Sequence, residues 1–588
     1  LICAPFFKRL IFIMHRKIFT LVLVSMVLLT QMVQAAQPVP LDPSQQQRWQ
    51  RERDAQQRLN QEVAPSVFNQ APLASSVDRL PLAEKPCFFI YRVYVEGPPP
   101  IRWAAFLPSL AGDKGQDPPE GRCLGNRGLD LLTQRMQQAL LAKGYATTNV
   151  QIKSDQNLAS GLLKLEVIPG RVGRIHLMTS PASPARVSLW NTVPISTGDI
   201  LSVGDMEQAL ENFQRVPGVH IQIPMQPGSM PMTSDLLMNY QGPVKPWRLG
   251  LSIDDSGIPA TGLFQGSLTG SWDNPLGLSD LFYLTLNHDL GGGQPGARGT
   301  RGYTTSYSLP LGYWSLSTTV SESTYYQNVV GLTQNYIYSG QNSHAEVALS
   351  RLLYRGVQSK VSASVKAFAR RSKNFIDDAE ILGQKRAIGG WQMDINPKWT
   401  WSGSGGTRSW DTRWTYKQGT GAFGSLPSPE EKQGQGTSYF GWWGIDSTLT
   451  LPFIANQRNF RYTNQLRLQM NDTPLTPQDR FSIGGRYSVR GFNGQNTLMG
   501  DRGWLTRNEL STSVGSHGHE VYFGLDYGEV GGPNAANLVG RYLGGAVLGW
   551  RAQWGPVQWE VFVGGPISKP DGFQAATTTG GFNMNMQF

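Results

Sequence analysis

From Pro246 to Phe588, apolar and polar side chains take turns along the chain. Trp247, Leu249, Leu251 and Ile253 alternate with Arg248, Gly250, Ser252 and Asp254. Trp314, Leu316, Thr318 and Val320 alternate with serines and a threonine. Val361, Ala363, Val365, Ala367 and Ala369 interleave with Ser362, Ser364, Lys366 and Arg370. Phe460, Tyr462, Leu466, Leu468 and Met470 follow the same rule, as do Val557, Trp559, Val561 and Val563. Phe582, Met584, Met586 and Phe588 end the chain in that pattern. Successive side chains of a strand point to opposite faces, so each run predicts a strand with one apolar and one hydrophilic face. A barrel with lipid outside and water inside fits this pattern. A soluble sandwich would turn the apolar face inward, and a single strand does not separate the two. The leader-like N-terminus, the aromatic strand ends and the terminal phenylalanine favour the membrane. Residues 246–588 leave room for roughly 16 strands of ~10 residues with their connections. The expected fold class is therefore β, a transmembrane barrel of about 16 antiparallel strands.

Upstream the period changes. Leu129, Leu132, Met136 and Leu140 recur at steps of three and four, predicting an amphipathic helix over Gly128–Lys143 closed by Gly144. Phe88–Val95, Thr148–Ile152 and Leu162–Ile168 read as strands around it, so residues 86–170 form one α+β unit. Residues 171–245 repeat the theme. Arg174–Met178 is a strand, and Met206, Leu210 and Phe213 mark a helix with Ser202 as its cap. His220–Ile223 and Leu236–Tyr240 are the closing strands. Residues 62–85, with Pro65, Pro72 and Pro81, read as a linker. Before them, Asp42-Pro43-Ser44 is a helix start, aspartate as N-cap and proline at the first helical position. The predicted helix, within residues 37–61, carries Arg48, Arg51 and Glu52, with Trp49 and Leu59 as its large apolar residues. So polar a helix cannot bury an apolar face; it is solvated or housed in a polar cavity. At 1.5 Å per residue it reaches ~27 Å, about the height of a membrane barrel.

Residues 1–36 read as a secretory leader: His15-Arg16-Lys17, then an apolar core from Ile18 to Leu29, then small residues. Residues 1–13 precede Met14 and read as an upstream extension. Of three cysteines, Cys3 falls in the leader, leaving Cys87 and Cys123 as an even pair in an exported chain. An oxidising compartment favours a disulfide between them. Two sulfurs without nearby histidines do not complete a zinc shell, so no metal is expected.

Composition narrows the function classes. Only 16% of the 588 residues are charged, while 66 are glycine and 10% aromatic, which suits short strands, tight turns and interfacial aromatics. The net charge of +10 is spread along the chain without a basic cluster among stacking aromatics, so nucleic acid is not an expected partner. No catalytic constellation emerges. His517-Gly518-His519 reads as a surface turn and Asp377-Asp378 as a solvated loop. The Gly291 and Ser402 runs lack the lysine of a phosphate loop. No enzyme activity and no cofactor are expected.

The strongest motif is not catalytic. Val489-Arg490-Gly491-Phe492 lies between the strands Phe460–Met470 and Trp504–Leu510, in a connection long enough to have a task. Downstream, Phe523-Gly524-Leu525-Asp526-Tyr527-Gly528 sets one carboxylate in an otherwise apolar, aromatic and glycine strand. If Tyr522, Gly524, Asp526 and Gly528 face inward, Arg490 is the candidate partner of Asp526 through a bidentate guanidinium. Independent solvation of both in a wet lumen is the other reading.

These motifs resemble the signature loop and wall strand of the superfamily that holds barrel-assembly proteins and two-partner secretion transporters. The two α+β units resemble polypeptide-transport-associated (POTRA) domains. In full order the chain resembles TpsB transporters of two-partner secretion, in the haemolysin secretion/activation and contact-dependent-inhibition branch. Cys87-Phe88-Phe89-Ile90, Cys123-Leu124-Gly125, Lys143-Gly144-Tyr145-Ala146-Thr147-Thr148 and Leu210-Glu211-Asn212-Phe213-Gln214-Arg215-Val216-Pro217 carry the branch resemblance. Asn149 departs from it, standing where arginine is expected. The resemblance implies an outer-membrane pore with its POTRA units in the periplasm, exporting a large partner exoprotein. It implies that the polar helix plugs the lumen, that Arg490 and Asp526 fix the inward loop, and that Phe588 belongs to a signal read by the barrel-assembly machinery. Outer-membrane lipid is the remaining expected partner. A factor that inserts other proteins into the membrane is the alternative.

Overall fold

A computed structural model describes residue 53 and residues 79–112, 115–179, 187–243, 245–515 and 518–588. The predicted leader and the plug residues Arg48, Trp49, Arg51 and Glu52 lie outside the described residues.

The first α+β unit holds β1 (Phe88–Ile90), β2 (Arg92–Glu96), β3 (Arg122–Leu124), α1 (Asn126–Ala142), β4 (Asn149–Ile152) and β5 (Leu162–Ile168). The single strand predicted over Phe88–Val95 is divided at Tyr91. There the N–H groups of Tyr91 and Arg92 both donate to the Gly161 carbonyl, at 2.8 and 3.3 Å. The first half pairs with β3, and the second lies parallel to β5 in a sheet ordered β2-β5-β4. The predicted apolar stripe of α1 faces that sheet, and Leu132, Met136, Leu140, Leu163 and Leu165 are fully buried. The open N–H groups at the start of α1 are met by Glu84, which accepts from Gly125, Arg127 and Gly128 at 2.7, 3.1 and 3.1 Å. An anion there satisfies orphan donors and complements the helix dipole. Arg135, on α1, is buried and donates to the Leu110 carbonyl at 2.7 Å and to Asp117 Oδ2 at 2.5 Å. Burial pushes the Asp117 carboxyl up. The Leu80 N–H and the Arg135 and Arg122 guanidinium groups outweigh this and hold it below the usual carboxylate range. Cys87 and Cys123 form a disulfide beside the β1–β3 ladder, with Cα atoms 5.3 Å apart.

The second unit holds β6 (Arg171–Thr179), α2 (Val203–Gln214), β7 (His220–Gln222), β8 (Met225–Pro227) and β9 (Thr233–Gln241). Its sheet runs β6-β9-β7, with β6 parallel to β9; β8, absent from the predicted elements, also pairs with β9. Phe213, Met206, Leu236 and Tyr240 form its core. Ser202 stands at the N-cap of α2 but its side chain makes no capping hydrogen bond. The other face of α2 docks on turns of the barrel. Asn212 donates to the Gly312 carbonyl at 2.8 Å, and Glu211 pairs with Arg355 at 2.8 Å and Lys360 at 2.5 Å.

The rest of the chain forms a closed antiparallel barrel of sixteen spanning strands. Its first staves are β10 (Trp247–Asp254), β11 (Phe264–Asp273), β12 (Leu281–Gly291), β13 (Arg298–Leu311), β14 (Trp314–Val330), β15 (Asn335–Arg355) and β16 (Ser359–Ile376). After the short β17 (Ala379–Glu380) come β18 (Arg386–Gly403), β19 (Gly406–Thr420), β20 (Gly441–Ala455) and β21 (Arg458–Asn471). A two-stranded ribbon, β22 (Phe481–Ile483) with β23 (Leu498–Gly500), lies inside the next connection. The last staves are β24 (Arg502–Val514), β25 (His519–Gly531), β26 (Tyr542–Trp554), β27 (Val557–Ser568) and β28 (Thr579–Gln587). β28 closes onto β10 from Gly250↔Gln587 to Asp254↔Asn583. The period-two pattern sorts as expected. Leu251, Leu268, Leu284, Val347 and Trp443 are exposed outward, while Ser267, Thr269, Thr285 and Thr304 are buried inward. Aromatics meet on the outside, Trp399 stacking on Trp410 at 5.0 Å and Tyr416 against Trp443 at 4.4 Å. The crossing is made by strands whose backbone groups are paired all round, which is what a barrel in lipid requires.

Candidate functional site in the barrel lumen

The connection from β21 to β24 turns back into the barrel, and charged residues hold it at four places. At its first bend, Asp479 accepts from Arg370 of β16 at 2.6 Å and from the Thr476 hydroxyl at 3.1 Å. The β22–β23 ribbon follows, with Phe481, Ile483 and Leu498 buried against Leu505, Val530 and Leu543. Where the connection leaves the ribbon, Asp501 is fully buried; it accepts from the Leu475 N–H at 3.0 Å and the Asn534 side chain at 2.8 Å.

The tip carries Val489-Arg490-Gly491-Phe492. The structure brings Arg490 to Asp526 of β25, whose face alternates as the pattern predicts: Tyr522, Gly524, Asp526 and Gly528 inward. Arg490 donates from Nε to Asp526 Oδ2 at 2.7 Å, from Nη2 to Oδ1 at 2.9 Å, and from its backbone N–H to Oδ2 at 2.9 Å. Nη1 donates to Glu509 Oε2 at 2.8 Å. The side chains of Arg490 and Asp526 retain 8% and 0% exposure, so solvation of each alone is excluded. A bidentate guanidinium–carboxylate fork is the geometry that makes such a buried pair tolerable. Glu509 also accepts from Arg551 at 2.8 Å, Arg551 donates to Glu520 at 2.7 Å, and Glu520 meets Arg461 at 2.5 Å. The lumen wall thus carries a chain of alternating charges with Arg490 near its end.

Glycine lets the loop backbone touch the wall. Gly491 has φ +92, and a Cβ there would lie 2.5 Å from the Gly565 carbonyl; one on Gly545 would lie 2.0 Å from the Arg490 carbonyl. Val489 and Phe492 join the ribbon's apolar cluster, Phe492 edge-on to Phe573 at 6.0 Å. Of the wall motif, Asp526 and Gly528 line the lumen, whereas Phe523 is exposed on the outer face and takes no part in the pair. Phe588, at the end of the chain, exchanges backbone hydrogen bonds with Leu249 at the barrel's closing seam.

Sequence reasoning missed several members of this site. Arg486 donates to Asp255 Oδ1 at 2.7 Å and to the Phe582 carbonyl at 3.0 Å, tying the loop to both strands of the closing seam. Asp255 also accepts from the Phe582 N–H at 2.9 Å. Arg53 donates to Gln265 of β11 at 2.7 Å and lies 3.8 Å from Asp254 of β10. Asp254-Asp255, breaking an alternating strand with two acids, was the available signal for the seam contacts.

Residues 233–552 match the family described as Haemolysin secretion/activation protein ShlB/FhaC/HecB. Residues 88–170 match a ShlB-type POTRA domain and residues 171–227 a POTRA domain. The chain is 33% identical to the Outer membrane transporter CdiB-2 of Burkholderia pseudomallei, over 96% of this chain and 98% of that one. It is 25% identical to the Hemolysin transporter protein ShlB of Serratia marcescens, over 76% of each. Among solved structures, CdiB from Acinetobacter baumannii aligns with a TM-score of 0.80 and 28% identity, covering 94% of this chain and 100% of that one.

Proposed function

The chain belongs to the haemolysin secretion/activation family of outer-membrane transporters, and from that premise we propose how its lumen serves two-partner secretion. The barrel sits in the outer membrane and the two POTRA units in the periplasm. The protein is a transporter that acts with a partner exoprotein, and export is favoured over the insertion of other proteins.

The POTRA units capture the N-terminal secretion domain of the exoprotein. β2 is the terminal strand of its sheet, with Tyr91 and Tyr94 exposed beside it, and β6 is the terminal strand of the second sheet. A partner strand added at such an edge gains backbone hydrogen bonds, and the neighbouring side chains select it. Residues 44–61 plug the lumen at rest and leave on engagement; the Arg53 contact with Gln265 supports this placement. The exoprotein then passes outward unfolded and folds outside, so no nucleotide or cofactor is needed.

The observation that carries the reading is the buried Arg490–Asp526 fork. It holds the inward loop in one position against the glycine-rich wall. Arg490→Ala abolishes secretion of a co-expressed partner exoprotein while barrel abundance in the outer membrane stays within twofold. Undiminished secretion refutes the loop's role. Deleting residues 44–61 raises single-channel conductance in planar bilayers, and an unchanged conductance removes the plug.

A further inference from the structure

At the rim opposite the POTRA units, above the apolar band of the outer face, β13 and β16 carry a cationic patch. On β16 the lipid-facing positions run Val361, Ala363, Val365, Ala367 and Ala369, and then Arg371 and Lys373, both exposed. The intervening Arg370, Ser372 and Asn374 are buried on the luminal side. On β13, Leu311, Leu309, Tyr307, Thr305 and Tyr303 face outward and are followed by exposed Arg301.

Height places these cations. From Val361 to Arg371 the strand climbs about 26 Å at ~3.4 Å per residue and ~40° tilt, and Leu311 to Arg301 climbs the same distance. The apolar band of such barrels is ~25 Å tall. Arg301 and Arg371 therefore emerge at the outer-leaflet head groups, with Lys373 just above. Arg301 stands opposite Thr324, Thr324 opposite Gln341, and Gln341 opposite Lys373. Three strand spacings separate the two ends of this row by about 14 Å.

The patch is not satisfied from within. Arg301 donates to the Thr324 hydroxyl at 3.2 Å, and among the described residues Arg371 and Lys373 make no ion pair. Two of the nearby acids, Glu322 and Glu380, have other partners. Glu322, one outward position below, accepts from Tyr303, and Glu380 pairs with Lys385 at 3.3 Å. At the opposite rim, by contrast, Arg351 is stacked on Trp314 at 4.9 Å.

We propose that Arg301, Arg371 and Lys373 form a binding site for the phosphates of the outer-leaflet glycolipid, lipid A. A guanidinium grips phosphate bidentately, and lysine adds a point charge. Two phosphates on one rigid sugar headgroup suit cations set about 14 Å apart on a sheet.

The test is native mass spectrometry of the full-length protein in micelles, titrated with diphosphoryl lipid A. The wild type binds it at least tenfold more tightly than dephosphorylated lipid A or phosphatidylglycerol. The triple variant R301Q/R371Q/K373Q loses at least tenfold, while Arg408→Gln at the opposite rim binds like the wild type. Heat-modifiable mobility checks that each barrel is folded; if the triple variant is not, Lys373→Gln alone weakens binding about threefold. The site is overturned if the triple variant, or Lys373→Gln in its place, binds as the wild type does. Equal binding of phosphatidylglycerol, or an equal loss in Arg408→Gln, also overturns it. Loss of binding on chelation, reproduced by Glu322→Gln, assigns the lipid instead to a cation bridge and rejects the arginines.

Discussion

Arg135 in the first POTRA unit and Arg490 in the barrel lumen are each buried against an aspartate. Arg135 sits on α1, over an apolar core, and reaches Asp117 and the Leu110 carbonyl within one small unit. Arg490 sits on a loop inserted against a wall whose own hydrogen-bond ladder is complete without it. Both guanidinium groups are desolvated, so removing one partner leaves the other with less compensation, Arg490 with Glu509 and Asp117 with Arg122. The consequence differs because the surroundings differ. In the POTRA unit the pair is woven into the core, so it holds the fold. In the lumen it holds the position of one segment relative to another, which is the kind of contact a transporter can release.

The largest effects that can break this contrast come from the aspartates and arginines themselves. Asp526→Ala leaves Arg490 facing Glu509 alone and weakens loop anchoring by about 3–5 kcal/mol. A cysteine placed at Ser488 then reacts with an impermeant maleimide at least tenfold faster, while heat-modifiable mobility of the barrel is unchanged. An unaltered labelling rate would mean that the ribbon, not the fork, fixes the loop. Arg135→Ala destabilises the first POTRA unit by a similar ~3–5 kcal/mol. Hydrogen exchange rises across α1 and β5 and not in the barrel; a rise confined to the barrel contradicts the assignment.

Replacing Cys87 and Cys123 by alanine has a slightly smaller effect on the same unit, about 3–4 kcal/mol in the chain-entropy model. The oxidised protein carries no alkylatable thiol at these positions, and two thiols without reductant would exclude the bridge. The smallest effect is the pH response of Asp117. Its carboxyl is held below its ordinary range, so its contribution is complete at neutral pH and is lost as pH falls below about 4. Exchange protection of α1 should decline over that window in the wild type, and less in Asp117→Asn.

Much of this molecule was legible beforehand, for a local reason. Lipid outside and water inside impose a period of two on every stave, so Trp247–Asp254 and Phe460–Met470 announced themselves as strands. The stripe Leu129, Leu132, Met136 and Leu140 announced α1 in the same way. Arg490 and Asp526 were legible as a pair because each is a lone charge among glycine, apolar and aromatic neighbours. The partners around them were not. Glu509, Arg551, Glu520 and Arg461 lie on alternating strands where a luminal charge looks like any other charge facing water.

By itself, then, the sequence determined the periodicities, the order of the units, the cysteine pair and the candidate fork, because these follow from side chains close in the chain or unusual in kind. Tertiary structure alone decided which luminal acids meet which bases. Strand register and barrel closure bring Arg486 to Asp255 across 231 residues and Arg370 to Asp479 across 109. It also decided that the polar face of α2 is a docking face rather than a solvated one. Long-range electrostatic pairing depends on where the sheet closes, and no local pattern records that.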